Sequence, residues 1–235
     1  MWGGRRWIPA VLASWLALAL FPLAGDAQRT LRVGTNTTDL ASLVRTIGGD
    51  RVEVVSMALG TQDPHYVEPK PSLILDLRRA DLYLQVGLDL EVGWAPLLLD
   101  QSRNPRLQRG SAGHLDLSGH VEVLDVPVGR VTRAEGDIHP WGNPHYWLHP
   151  ENGLRMVEAI AVRLSTLDPD GAAAYDRALA SVREELQAAM VRWRRAAEPL
   201  RGAPLVAYHN SWKYLADFLE LEIVDYVEPR PGIPP

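Results

Sequence analysis

The chain has 235 residues, 46% of them apolar and 23% charged, with 18 prolines, 19 glycines and a formal charge of −5. That composition is globular and loop-rich, and a mildly acidic balance without a basic stripe argues against a nucleic-acid-binding surface. There is no cysteine, which excludes a disulfide framework, a thiolate metal site, a cysteine nucleophile and an amino-terminal lipid on cysteine.

At the amino terminus, Arg5 and Arg6 precede an apolar run over residues 7–23 and small residues ending at Ala27. This is the order of a secretory leader, with Gly25 and Ala27 suited to the −3 and −1 positions. Pro9 and Pro22 interrupt the run, which is short for a membrane span. Cleavage after Ala27 and export from the cytoplasm are expected, with no stable membrane insertion afterwards. Loss of two arginines and one aspartate would take the formal charge from −5 to about −6.

Residues 31–35 read as a strand. Residues 39–47, with Leu40, Leu43, Val44 and Ile47 at helical spacing, read as a helix stopped by Gly48-Gly49. The β-branched run 52–57 is the next strand and leads into Asp63-Pro64-His65. Residues 72–79 are helical, 81–86 form a strand, 91–100 a helix and 121–124 a further short strand. Alternating strands and helices predict an α/β layer with a mainly parallel sheet. Ligand groups in such layers sit on loops at the carboxyl ends of strands, where both His65 and His209 fall.

A helix is predicted over residues 151–164 and a longer one over 172–200. In the latter, Tyr175, Leu179, Val182, Leu186, Met190, Trp193 and Ala197 form an apolar stripe that is expected to pack in a core. Its length, ~40 Å at 1.5 Å per residue, suits a strut between two lobes. Residues 204–208 and 221–227 then read as the first strands of a second sheet, with a helix over 213–219 between them. Two strands and one helix are too few for a stable lobe, so the carboxyl lobe is expected to be incomplete.

Seven histidines are present. His65, His145 and His209 each border a tyrosine, and the first two follow proline. Any one of them alone reads most simply as a structural loop residue. Three such loops in an exported α/β chain without cysteine point to metal, because neutral imidazole is a common zinc ligand and stiff loops need little ordering.

Three motifs carry a resemblance: Asp63-Pro64-His65-Tyr66-Val67-Glu68-Pro69, Asn143-Pro144-His145-Tyr146-Trp147-Leu148, and His209 with Trp212 and Tyr214. They resemble the ligand loops of the zinc/manganese solute-binding proteins of bacterial metal ABC importers, the zinc-uptake or cluster A-I family. Residues 80–91 and Glu228-Pro229-Arg230-Pro231-Gly232 resemble further stretches of it. The resemblance implies a periplasmic, monomeric receptor that delivers a metal ion to an importer permease. It implies His65, His145 and His209 as ligands and a fourth, carboxylate ligand late in the carboxyl lobe, to which no position before Pro235 corresponds. It also implies a leader over residues 1–27, an amino-terminal α/β metal-binding lobe over 28–171, a linking helix over 172–200 and part of a second lobe over 201–235.

The family commonly has aspartate where His149 stands. His149 is therefore expected as a weakened helix cap, the alternative being an added nitrogen near His145. His114, His120 and His139 are expected at the surface, with His139 also able to swing toward the site. A nitrogen-rich set favours zinc as cargo over manganese, which prefers carboxylate oxygen. A zinc hydrolase is a different reading, in which water takes the fourth position. Glu68 is the nearest candidate base, but no His-Glu-x-x-His or Gly-x-Ser-x-Gly pattern accompanies it, so no catalytic residue is assigned. A surface adhesin on the same fold is a third reading, distinguished by binding to host or matrix ligands.

Overall fold

The computed structural model describes residues 29–129 and 139–228, together with Met1. The leader assigned to residues 1–27 lies, Met1 aside, outside the described residues, as does the turn over 229–232. Strands β1 (Leu31–Thr35), β2 (Val52–Ser56), β3 (Leu82–Gln85) and β4 (His114–Asp116) form one parallel sheet in the order β2-β1-β3-β4. Helix α1 (Thr38–Gly48) connects β1 to β2, and α2 (Pro71–Arg79) returns across β1 to β3. The order therefore reverses between β1 and β3, and loops leaving the carboxyl ends of these strands diverge there.

Side chains alternate across the sheet. Leu82 and Leu84 join Leu40, Val44 and Ile47 of α1 and Met156, Val157, Ile160 and Leu164 of α4 (Pro150–Leu167). Tyr83 points the other way, into a layer with Leu77 of α2 and Leu98 of α3 (Ala95–Ser102). Both faces are covered, as a parallel sheet requires.

Helix α5 (Ala172–Ala197) spans 26 residues and packs on α4 and α1. Its apolar stripe is only partly core. Tyr175, Met190 and Ala197 are buried, but Trp193 is 46% exposed. It lines a groove of about 740 Å³ shared with α1, α4 and α6 (Lys213–Leu219). Strands β5 (Pro204–Ala207) and β6 (Glu222–Tyr226) pair in parallel as a second sheet, with a bulge between Leu205 and Val206. Among the described residues no helix is long and apolar enough to cross a membrane.

Two expected elements differ. Residues 121–124 are not a strand, because their backbone is bound by side chains instead of a neighbouring strand. Asn152 accepts from Glu122 N and donates to Glu122 O, and Tyr214 Oη accepts from Leu124 N. The sheet's fourth strand is His114–Asp116, so His114 is buried in the fold and does not lie at the surface. Helix α3 starts four residues later than expected, at Ala95 with Pro96 in its first turn, where proline suits a helix start, and residues 91–94 form a turn.

Tyr214 joins the second sheet to the first lobe. Its hydroxyl donates to Asn143 O at 2.7 Å while accepting from Leu124 N at 2.9 Å. Tyr214→Phe removes the partner of the buried Asn143 O and of the part-buried Leu124 N, and is expected to lower unfolding stability by about 1–3 kcal/mol. Urea denaturation followed by circular dichroism checks this, and an unchanged midpoint would show that the contact contributes nothing.

Candidate metal centre

The first candidate ligand lies on the loop that follows β2. Asp63 folds back so that one carboxylate oxygen accepts from His65 N at 2.9 Å and from His65 Nδ1 at 2.7 Å. Pro64 is the intervening residue, its φ fixed by its ring, and its carbonyl accepts from Trp94 Nε1 at 2.9 Å. The hydrogen bond from His65 brings the Asp63 carboxyl down to about 2, so it is an ionised acceptor at neutral pH. His65 Nδ1 therefore carries the proton, and the lone pair of the neutral ring is on Nε2.

The second loop repeats this device with an amide. Asn143 Oδ1 accepts from His145 N at 3.0 Å and from His145 Nδ1 at 2.9 Å, across Pro144. Asn143 Nδ2 donates to Asn210 O at 2.8 Å, which fixes the amide's orientation. Gly142 precedes it with φ 109°, where a Cβ would meet Val123 Cγ1 and Leu124 O. His209, after β5, donates from Nδ1 to Glu228 Oε2 at 2.7 Å, with Glu228 following β6.

These three side chains converge. The ring centroids of His65 and His145 lie 5.4 Å apart, those of His65 and His209 5.8 Å, and those of His145 and His209 5.3 Å. One ligand nitrogen from each lies within 4.8 Å of the others. Two nitrogens on a tetrahedral zinc with ~2.1 Å bonds stand roughly 3.4 Å apart, so a small inward movement would bring them to coordination distance. The donor chemistry fits a borderline-soft divalent cation, and an oxygen on each Nδ1 is the usual outer partner of a ligating histidine. Burial pushes the His145 imidazole well below its ordinary 6.5, with His65, His209 and His139 adding repulsion.

The remaining histidines separate clearly. His149 caps α4, its Nδ1 accepting from Glu151 N at 3.2 Å, and its ring rests on Phe218. His114 Nδ1 donates to Leu107 O, and its ring packs on Tyr83 away from the cluster. His120 is exposed. His139, expected at the surface or swung toward the site, is half-buried and turned toward the site, its Nε2 3.2 Å from His65 Nε2. Glu68, the base a hydrolase would need, is exposed.

Sequence reasoning missed the orienting oxygens. The repeat of Asp/Asn-Pro-His at residues 63–65 and 143–145 was a visible signal for two of them. Glu228 stood out only as the first residue of the stretch 228–232 and not as a partner of His209, which it reaches because β5 and β6 pair. The tyrosines beside the three histidines share no common role. Tyr146 is buried and donates to Val86 O, whereas Tyr66 and Tyr208 are exposed.

The family model described as zinc-uptake complex component A, periplasmic, matches residues 33–235. The manganese ABC transporter substrate-binding lipoprotein scaA of Streptococcus gordonii is 31% identical over 166 residues, covering 69% of this chain and 50% of its own. The manganese ABC transporter substrate-binding lipoprotein PsaA of Streptococcus pneumoniae is 31% identical over 190 residues, covering 76% and 57%. The chain thus spans about half the length of the curated relatives it matches. Among solved structures, a ZnuA crystal structure superposes with a TM-score of 0.71 at 25% identity, covering 88% of this chain and 73% of that one. A zinc-bound ZnuA deletion mutant gives 0.70 at 28% identity, covering 83% and 69%.

Because His145 binds its proton more weakly folded than unfolded, it contributes stability that is present above pH 6.5 and lost as pH falls toward its depressed folded value. In the metal-free chain, an NMR titration of imidazole carbons is expected to find His145 still neutral at pH 6. A His145 midpoint at or above 6.5 would contradict the burial account.

Proposed function

The chain belongs to the family of periplasmic zinc-uptake complex component A proteins, and we propose that it is an extracytoplasmic receptor that binds a divalent metal ion, zinc first, and passes it to the permease of an ABC importer. The ligand atoms in this reading are Nε2 of His65, His145 and His209. The observation that carries it is the convergence of these three nitrogens, each backed by an oxygen on its Nδ1.

Capture follows from that arrangement. Three imidazoles this close repel one another when protonated and offer three lone pairs when neutral, so a divalent cation relieves what protons would aggravate. The oxygens at the rear fix ring orientation before the ion arrives, which lowers the ordering cost of binding. Zinc is preferred because the inward-facing donors are nitrogen, and the intrinsic affinity order places it above manganese. Manganese is the second reading, favoured by the names of the streptococcal relatives.

In this reading the leader over residues 1–27 is removed, residues 28–171 form the metal-binding lobe, 172–200 the linking helix and 201–235 part of a second lobe. The receptor acts as a monomer and catalyses no reaction.

Competitive titration of the purified chain with zinc and manganese tests the proposal. One zinc per chain, bound well ahead of manganese, is expected. His65→Ala and His209→Ala are each expected to weaken it by at least about 100-fold, since loss of an outer partner alone costs about 10–100-fold. Manganese bound more tightly than zinc would reverse the choice of cargo, and zinc binding that survives both substitutions would refute the ligand assignment.

A further inference from the structure

His139 lies outside the three ligand loops, yet it is held as a ligating histidine is held. Its Nδ1 donates to Leu88 O at 3.0 Å. A carbonyl only accepts, so the lone pair of the neutral ring is on Nε2. That atom stands 3.2 Å from Nε2 of His65, with the two rings 5.3 Å apart and tilted by 35°. His65 has already committed its own Nδ1 proton to Asp63. The two Nε2 atoms therefore stand within hydrogen-bond distance, a spacing at which one cation, a proton or a metal ion, can be shared between them. The separation is close to the roughly 3.4 Å expected for two nitrogens on one tetrahedral zinc with ~2.1 Å bonds.

The carbonyl that holds His139 is itself built for the purpose. Gly87, Leu88 and Asp89 have φ of 81°, 54° and 65°, a left-handed run that side-chain-bearing residues rarely adopt. Gly87 N donates to Oε1 of the buried Glu91 at 2.9 Å, and Leu90 N donates to Gly87 O at 3.1 Å. The turn is thus pinned from beneath while Leu88 O points at His139. His114 also donates to a carbonyl, but its Nε2 is enclosed near Tyr83 and faces no other imidazole.

We propose that His139 supplies a fourth imidazole to the cargo ion, so that this chain binds its metal with four nitrogens drawn from His65, His139, His145 and His209. The proposal rests on the three-histidine reading above and extends it. The fourth donor then comes from the segment just before the second ligand loop, and no carboxylate from elsewhere in the chain is needed to close a tetrahedron. An all-nitrogen set also widens the preference for zinc over manganese beyond what three imidazoles give.

X-ray absorption at the zinc edge counts imidazoles directly through scattering from their outer ring atoms. With one zinc per purified chain, four imidazoles are expected in the wild type and three in both His139→Ala and His139→Asn. The asparagine variant keeps an amide N–H able to reach Leu88 O without a ring nitrogen, so a fall to three there cannot come from a collapsed loop. Zinc affinity is expected to drop about tenfold or more in both variants, at the lower end of effects at metal sites, with a smaller zinc-to-manganese ratio. Three imidazoles in the wild type, unchanged by either His139 variant and reduced by His65→Ala, would overturn the role of His139 and leave the three-histidine site standing. Fewer than three in the wild type would overturn both.

Discussion

The hydrogen bond from each imidazole Nδ1 to an oxygen behind it is the interaction on which the centre depends. A free histidine interconverts between two tautomers and rotates about two bonds. An acceptor fixed at Nδ1 removes both freedoms and leaves Nε2 as the only lone pair, aimed inward. Asp63, Asn143 and Glu228 do this for three rings, with donor–acceptor distances between 2.7 and 2.9 Å. Two of these oxygens are placed by a local turn across a proline. The third is placed by strand pairing, because β5 and β6 run side by side and bring Glu228 beside His209.

The loop after β3 ties these pieces together. Val86 O accepts from Tyr146 Oη, next to His145. Leu88 O accepts from His139, and Trp94 Nε1 donates to Pro64 O beside His65. One stretch of nine residues thus touches the segments that carry His65, His139 and His145. It leaves the sheet where the strand order reverses, the position at which a doubly wound sheet opens a crevice. Tyr214 and Asn143 extend the same framework to the second sheet through Leu124 and Asn210.

Much of this was legible in the sequence, for definite reasons. Helix α1 announced itself through Leu40, Val44 and Ile47 and the paired glycines after them, and α5 through its long three-and-four spacing. The histidine loops stood out because Asp63-Pro64 and Asn143-Pro144 precede His65 and His145 in the same way. What stayed hidden depends on contacts distant in the chain. The strand His114–Asp116 is three residues long, too short for periodicity to register. Residues 121–124 look like a strand by composition, but Asn152 and Tyr214 take up their backbone groups. For His139 the sequence left a surface position and a swing toward the site both open, because Leu88 O, the atom that holds it, is a backbone group far from it in the sequence.

The most direct test of the central claim is nitrogen NMR of the purified chain, labelled with ¹⁵N at histidine and loaded with ¹¹³Cd in place of zinc. The account predicts a metal–nitrogen coupling at Nε2 of His65, His145 and His209, with the Nδ1 proton retained on each. Coupling through Nδ1 at any of the three, or none at one of them, would contradict it.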